Sequence, residues 1–195
     1  VITYTYTDGN GCTNSTSQSV TVNALPGGSG SFNGLASTYC TTDAPVNLTG
    51  NPTTGTFGGP GITDNGNGTA VFNPATAGVG THSISYTFSN GFCSNTATAS
   101  VTVLPNYVIT ATAGTGGNIS PNGVTSVCSG NSQAYTITAN SGYHIDDVLV
   151  DGISVGAVSA YNFINVTATR TIEAIFAVDC LVPVMSANIT HITCN

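Results

Sequence analysis

The residues of this 195-residue chain that could do chemistry are six cysteines, three histidines and a few aspartates. The cysteines stand at positions 12, 40, 93, 128, 180 and 194. No Cys-x-x-Cys pair occurs, so the spacing of zinc and redox motifs is missing. Wide scatter through a chain of this kind fits structural disulfides formed in an oxidising space. Cys40, Cys93, Cys128 and Cys180 are candidates for bridges within the chain. Cys12 and Cys194 are expected to find partners outside it. A bridge between Cys40 and Cys93 would close a sandwich-sized loop and add about 4 kcal/mol in the chain-entropy model.

The histidines, His82, His144 and His191, fall in three different stretches. A nucleophilic triad needs a base, a nucleophile and an orienting acid brought together. The nucleophile-elbow pattern Gly-x-Ser-x-Gly is also absent. Asp146, Asp147 and Asp151 cluster in sequence, but Asp151-Gly152 already reads as a hairpin turn. Calcium is the sharper alternative, because it takes hard oxygen ligands. Its candidates are the Asp146, Asp147, Asp151 group and the turn Asp64-Asn65-Gly66-Asn67. Neither follows a full calcium-loop pattern, and turn chemistry accounts for Asp, Asn and Gly there. The expectation is therefore no catalytic residue and no cofactor, with a structural calcium as the alternative. Tyr107, Tyr135, Tyr143 and Tyr161 could form a sugar-binding platform, although tyrosine is commonly a half-buried strand residue. No tryptophan is present to stack on a sugar.

Composition narrows the partners. The net charge is −7, and Arg170 is the single lysine or arginine. A nucleic-acid binder needs many such cations to displace phosphate counterions, so DNA and RNA are excluded as expected partners. The same shortage argues against an anionic membrane surface. No apolar run approaches the length of a membrane span. Asn-x-Ser/Thr triplets at Asn14, Asn47, Asn67, Asn118, Asn165 and Asn188 are the chance yield of a chain rich in Asn and Thr.

The elements that must position these residues are strands. Thr, Val, Ile and Tyr favour pleated structure, and Gly, Asn, Asp and Pro favour turns. No helix-period segment of ten or more residues stands out, so the fold class is all-β. One plan occurs twice. Tyr4 and Tyr6 precede the turn Asp8-Gly9-Asn10-Gly11, then Cys12, then Ser19-Val20-Thr21-Val22. Tyr86 and Phe88 precede Asn90-Gly91-Phe92, then Cys93, then a threonine-rich strand ending at Pro105. A strand pair used twice predicts tandem modules in an extended array.

Five segments follow. Residues 1–25 hold two strands, Val1–Thr7 and Ser15–Asn23, read as the closing strands of a preceding domain. Residues 26–34 form a Gly/Ser-rich linker. Residues 35–105 form a small β-sandwich, with Ile84, Tyr86 and Phe88 on one face. Residues 106–178 form a second compact β-domain, in which Gly114–Gly123 reads as a turn-rich connection and Tyr135 alternates with Thr136 before Ile137. Residues 179–195 form a linker and the first strand of a following repeat.

Three of these segments carry a family likeness. Cys40-Thr41-Thr42-Asp43-Ala44-Pro45-Val46-Asn47-Leu48, Gly78-Val79-Gly80-Thr81-His82-Ser83-Ile84-Ser85-Tyr86 and Cys93 resemble the immunoglobulin-like and PKD-like repeats of giant bacterial surface proteins. Gly117–Pro121, Gly142–Gly152, Tyr161–Val166 and Thr171–Phe176 resemble a divergent B-repeat of the internalin B type. Residues 184–195 resemble the opening strand of an SprB-type repeat from gliding-motility adhesins. The likeness implies a secreted, non-catalytic segment of a cell-surface adhesin or filament, a disulfide-stapled stalk. The implied partners are neighbouring β-modules of the same chain, adjacent copies in a filament, surface glycans or other cells. A filament subunit completed by strand exchange and a carbohydrate-binding accessory module of a secreted enzyme are the alternatives. The absence of lysine removes Lys–Asn isopeptide crosslinks, leaving disulfides as the covalent staples.

Overall fold

The computed structural model describes residues 1–23 and 30–179. It is nearly all β. Contacts divide the chain into two compact units, Val1–Leu104 and Pro105–Asn195.

The first unit opens with a hairpin. Strand β1 (Ile2–Thr7) pairs antiparallel with β2 (Thr13–Gln18). The second strand ends five residues short of Asn23, because Gln18 already lies opposite Ile2 and no strand residue remains to pair with. The Asp8 carboxylate fixes the turn, with Oδ1 accepting from the Asn10 N–H at 2.9 Å and the Cys12 N–H at 2.8 Å.

A two-layer sandwich follows. Its strands are β3 (Ser31–Asn33), β4 (Thr38–Cys40), β5 (Val46–Asn51), β6 (Thr56–Gly58), β7 (Ile62–Asp64), β8 (Thr69–Phe72), β9 (Gly80–Ser89) and β10 (Ser94–Leu104). One sheet has the order β4-β10-β9-β6 and the other β3-β5-β8-β7. Strand β3 lies inside the stretch expected to be linker. Phe32 explains it: one aromatic among Gly and Ser packs edge-on against Phe57, with ring centroids 5.4 Å apart. The alternation expected around Tyr86 is present, with Ile84, Tyr86 and Phe88 all buried. They share a core with Leu48, Ala70, Phe72, Val101 and Val103.

Tyr86 is the centre of that core. Its ring lies 4.6 Å from that of Phe57. Its hydroxyl accepts from the Gly55 N–H at 2.8 Å and donates to the Pro52 carbonyl. Gly50 and Gly55 make room for it: a Cβ added at either would come within 2.1 Å and 2.5 Å of a ring carbon. These glycines are required by close approach.

The second unit holds β11 (Asn106–Ala113), β12 (Gly117–Ser120), β13 (Gly123–Cys128), β14 (Gln133–Ala139), β15 (Tyr143–Val150), β16 (Ile153–Ser154), β17 (Ala160–Phe163) and β18 (Arg170–Val178). Five strands form one sheet, β13-β11-β18-β15-β16, and three form another, β12-β14-β17. Strands β12 and β13 arise where the sequence suggested a connection. Each is recruited by a partner, β14 and β11 respectively, since a short glycine-flanked segment pairs only when a neighbour supplies the ladder. Strands β15 and β16 meet at Asp151-Gly152, both with positive φ, the turn expected there.

The core of this unit contains Ile109, Ile119, Tyr135, Ile137, Val148 and Ile172. Tyr135 is 1% exposed, and its hydroxyl has no hydrogen-bond partner. A buried hydroxyl without a partner carries its desolvation cost uncompensated, about 1–3 kcal/mol. Tyr135→Phe is therefore expected to leave stability unchanged or raise it by up to that amount. Urea unfolding of the two proteins side by side checks this.

The cysteines correct one expected pairing. Cys93 is a free thiol, as is Cys12. Cys40 and Cys128 are each disulfide-bonded. Cys40 ends β4 opposite Leu104, the last residue of β10, whereas Cys93 precedes the first residue of that strand. An extended strand of that length separates the two by about 35 Å, and a disulfide needs Cα atoms within about 7 Å. Cys180 and Cys194, with the strand expected in 184–195, lie outside the described residues.

Candidate functional site

The side chains with chemical potential are mostly engaged in holding turns. Asp147 Oδ1 accepts from its neighbour the Val148 N–H at 2.8 Å, from the Ser154 hydroxyl at 2.7 Å and from the Gly156 N–H at 3.1 Å. Asp151 Oδ1 accepts from the Thr171 N–H at 2.8 Å. Asp64 Oδ1 accepts from the Phe57 N–H at 3.1 Å. Asp146 is exposed, at a shift in register between β15 and β18 that separates it from the pairing of Asp147. Asp147, Asp151 and Asp64 thus anchor different segments, and Asp146 faces solvent. Among the described residues no three His, Cys, Asp or Glu side chains gather into a metal-sized group.

The histidines stand apart in the same way. His82 Nε2 is 2.8 Å from the Gly78 carbonyl. His144 Nδ1 is 3.0 Å from Asp179 Oδ1, with both side chains about half exposed. A solvent-exposed pair of this kind contributes at most about 1 kcal/mol. Neither ring is hydrogen-bonded to a serine, threonine or cysteine in the described structure. His191 lies outside the described residues.

The feature most like a binding site is an open concavity of about 280 Å³ beside β17 and the start of β18. Tyr161, Phe163, Asn165, Thr167 and Arg170 contribute to its lining. The Tyr161 and Phe163 rings meet edge to face at 4.9 Å. The Arg170 guanidinium carbon stands 5.6 Å from the Phe163 centroid. Arg170 Nε is 2.7 Å from Asp151 Oδ2, although its N–H is not in line for a hydrogen bond, so the contact is Coulombic rather than directional. This cation is therefore already neutralised by a carboxylate. An aromatic edge, two polar side chains and a paired guanidinium can hold a neutral polyol weakly.

The sequence reading picked out Tyr161 but not its neighbours. Tyr135 and Tyr161 lie opposite each other on β14 and β17, yet Tyr135 is in the core and Tyr161 at the rim. Tyr107 and Tyr143 are half-buried strand residues and do not line the concavity. The signal available for Arg170 was its being the only cation in the chain.

No protein-family model matches the chain, and no curated protein matches its sequence. No helix of the described residues is long and apolar enough to cross a membrane. The disulfide fits an oxidising, extracellular compartment.

Proposed function

We propose that this chain is a non-catalytic structural segment of a secreted cell-surface adhesin or filament, a disulfide-stapled series of β-modules that spaces and presents other parts. One observation carries the reading: the hairpin of residues 2–18 and the hairpin of residues 80–104 share one register, and each turn is closed by an Asx side chain, the first turn having one residue more. Tyr4 lies opposite Thr16 as Tyr86 lies opposite Ala97. Asn90 Oδ1 accepts from the Phe92 and Cys93 N–H groups at 3.1 Å and 2.9 Å, as Asp8 serves its own turn. Repetition of a structural unit in series is the economy of a rod, in which each unit is stabilised by itself and its neighbours. The likeness to PKD-like, B-repeat and gliding-adhesin modules supports the same reading, with neighbouring modules, adjacent copies or surface glycans as the partners. Turnover of any substrate mapped to these residues would overturn it, and a native chain mass of hundreds of kilodaltons is the expected support.

The concavity beside Tyr161 favours a second reading, a carbohydrate-binding accessory module. It predicts a glycan complex that Tyr161→Ala abolishes. Glycan-array binding unaffected by that substitution would sink it.

A further inference from the structure

We infer that the Ile2, Tyr4, Tyr6 face of the first hairpin is a docking surface for a β-sheet layer with the chemistry of residues 31–72 of this chain. The inference deepens the modular reading by naming what the hairpin binds.

The argument starts from position. Ile2, Tyr4 and Tyr6 lie opposite Gln18, Thr16 and Asn14. Ile84, Tyr86 and Phe88 lie opposite Ala99, Ala97 and Asn95. The two sets match residue for residue, with one extra residue in the first turn. Their surroundings do not match. Ile84, Tyr86 and Phe88 are 0%, 0% and 2% exposed, whereas Ile2, Tyr4 and Tyr6 are 65%, 67% and 59% exposed. Three large apolar side chains on one face of an isolated hairpin are costly in water, and a two-stranded hairpin alone is marginal. A shallow concavity of about 420 Å³ lies on this face, with Ile2, Tyr4, Thr16, Gln18 and Val20 in its lining.

The sandwich shows what fills such a face. Opposite Tyr86 stands Gly50 of β5, with Gly55 beside the ring, and a Cβ at Gly30 would come within 1.9 Å of Phe88. The tyrosine hydroxyl meets the Gly55 N–H and the Pro52 carbonyl. The occupant of the Tyr4 face is accordingly a sheet that offers glycines under the tyrosine ring and a backbone N–H and C=O for its phenol. A second folded copy of this chain does not fit, because its own residues 31–72 are already closed by Tyr86 and Phe88.

The test supplies the layer. Residues 31–82 are inserted directly before Val1 of the full chain, so that Val1 takes the place that Ser83 has after His82. Amide exchange is followed at Thr3–Thr7 by NMR in this chain and in the parent. Exchange in the extended chain is expected to slow by about a hundredfold or more, as for residues moved into a cooperative core. Tyr4→Ala in the extended chain should return it to the parent rate. Equal rates in the two chains, with residues 83–104 still protected, would overturn the inference, whether the added layer fails to fold or folds without docking. Slow exchange already present in the parent would also overturn it, with sedimentation showing whether a second copy is the cover. Neither outcome bears on turnover or glycan binding, so the stalk reading stands or falls separately.

Discussion

Tyr86→Ala is expected to leave the residues 31–104 sandwich largely unfolded at room temperature. Truncating a fully buried aromatic costs about 3–5 kcal/mol, from lost transfer energy and the cavity left behind. The ring's neighbours are already at closest approach, Gly50 and Gly55 below it and Phe57 beside it, so little collapse can refill the space. The Gly55 N–H, which points at the phenol in a buried site, loses its acceptor as well. A unit of this size has about 4–11 kcal/mol of stability in total. Tyr86→Phe separates the two contributions: it keeps the ring and removes the hydroxyl, and should cost about 1–3 kcal/mol. Urea titrations should show the midpoint falling with an unchanged slope for the Phe variant. A Phe variant as stable as the parent would show that the hydroxyl's contacts to Gly55 and Pro52 are not what orders that loop. The opposite sign expected for Tyr135→Phe makes the pair informative, because the same substitution removes a satisfied hydroxyl in one unit and an orphaned one in the other.

Reduction is expected to lower the stability of the folded protein by about 4–5 kcal/mol, the value of the chain-entropy model for a bridge that closes a long loop. Cys40 and Cys128 are each disulfide-bonded, whereas Cys12 and Cys93 are free thiols. A cross-link limits the conformations open to the unfolded chain, so its loss favours the unfolded state. Urea titrations of the oxidised and the reduced protein should show the midpoint falling on reduction. Equal midpoints in the two forms would mean that the bonds at Cys40 and Cys128 do not stabilise the folded protein.

Much of the strand content was legible in the sequence, and for a physical reason. Alternation at Ile84, Tyr86 and Phe88, and at Tyr135 and Ile137, reflects a period of two that any half-buried strand must obey. Asp151-Gly152 announced its turn because a two-residue hairpin requires positive φ at both positions. The repeated hairpin was legible because an Asx side chain closing a turn, an aromatic pair before it and a cysteine after it are all local. Strands β3, β12 and β13 were not legible. They are short segments near glycines, and what makes them strands is the edge of another strand, not their own composition.

The disulfide and the candidate site lay further from the sequence. Spacing along the chain suggested Cys40 with Cys93, but a strand that runs from Ser94 to Leu104 carries Cys93 away from Cys40, which pairs beside the far end. The aspartate group read as turn chemistry, with a calcium site as the alternative, but the sequence did not say which backbone each carboxylate serves. Folded, Asp147 closes the β15–β16 loop, Asp151 ties the turn to Thr171 and faces Arg170, and Asp146 is left outside the pairing.

By itself the sequence determined that this protein is made of strands, where most of them turn, that its charge is strongly negative with a single arginine and no lysine, and that one hairpin occurs twice. Those properties follow from side-chain period, turn chemistry and net charge, which act over a few residues or need no geometry at all. Only the tertiary structure decided which cysteines are bonded, which tyrosine is core and which is rim, and that one copy of the hairpin is covered while the other is bare. Each of those depends on which distant strand lies across a layer or along an edge, and no local preference encodes that.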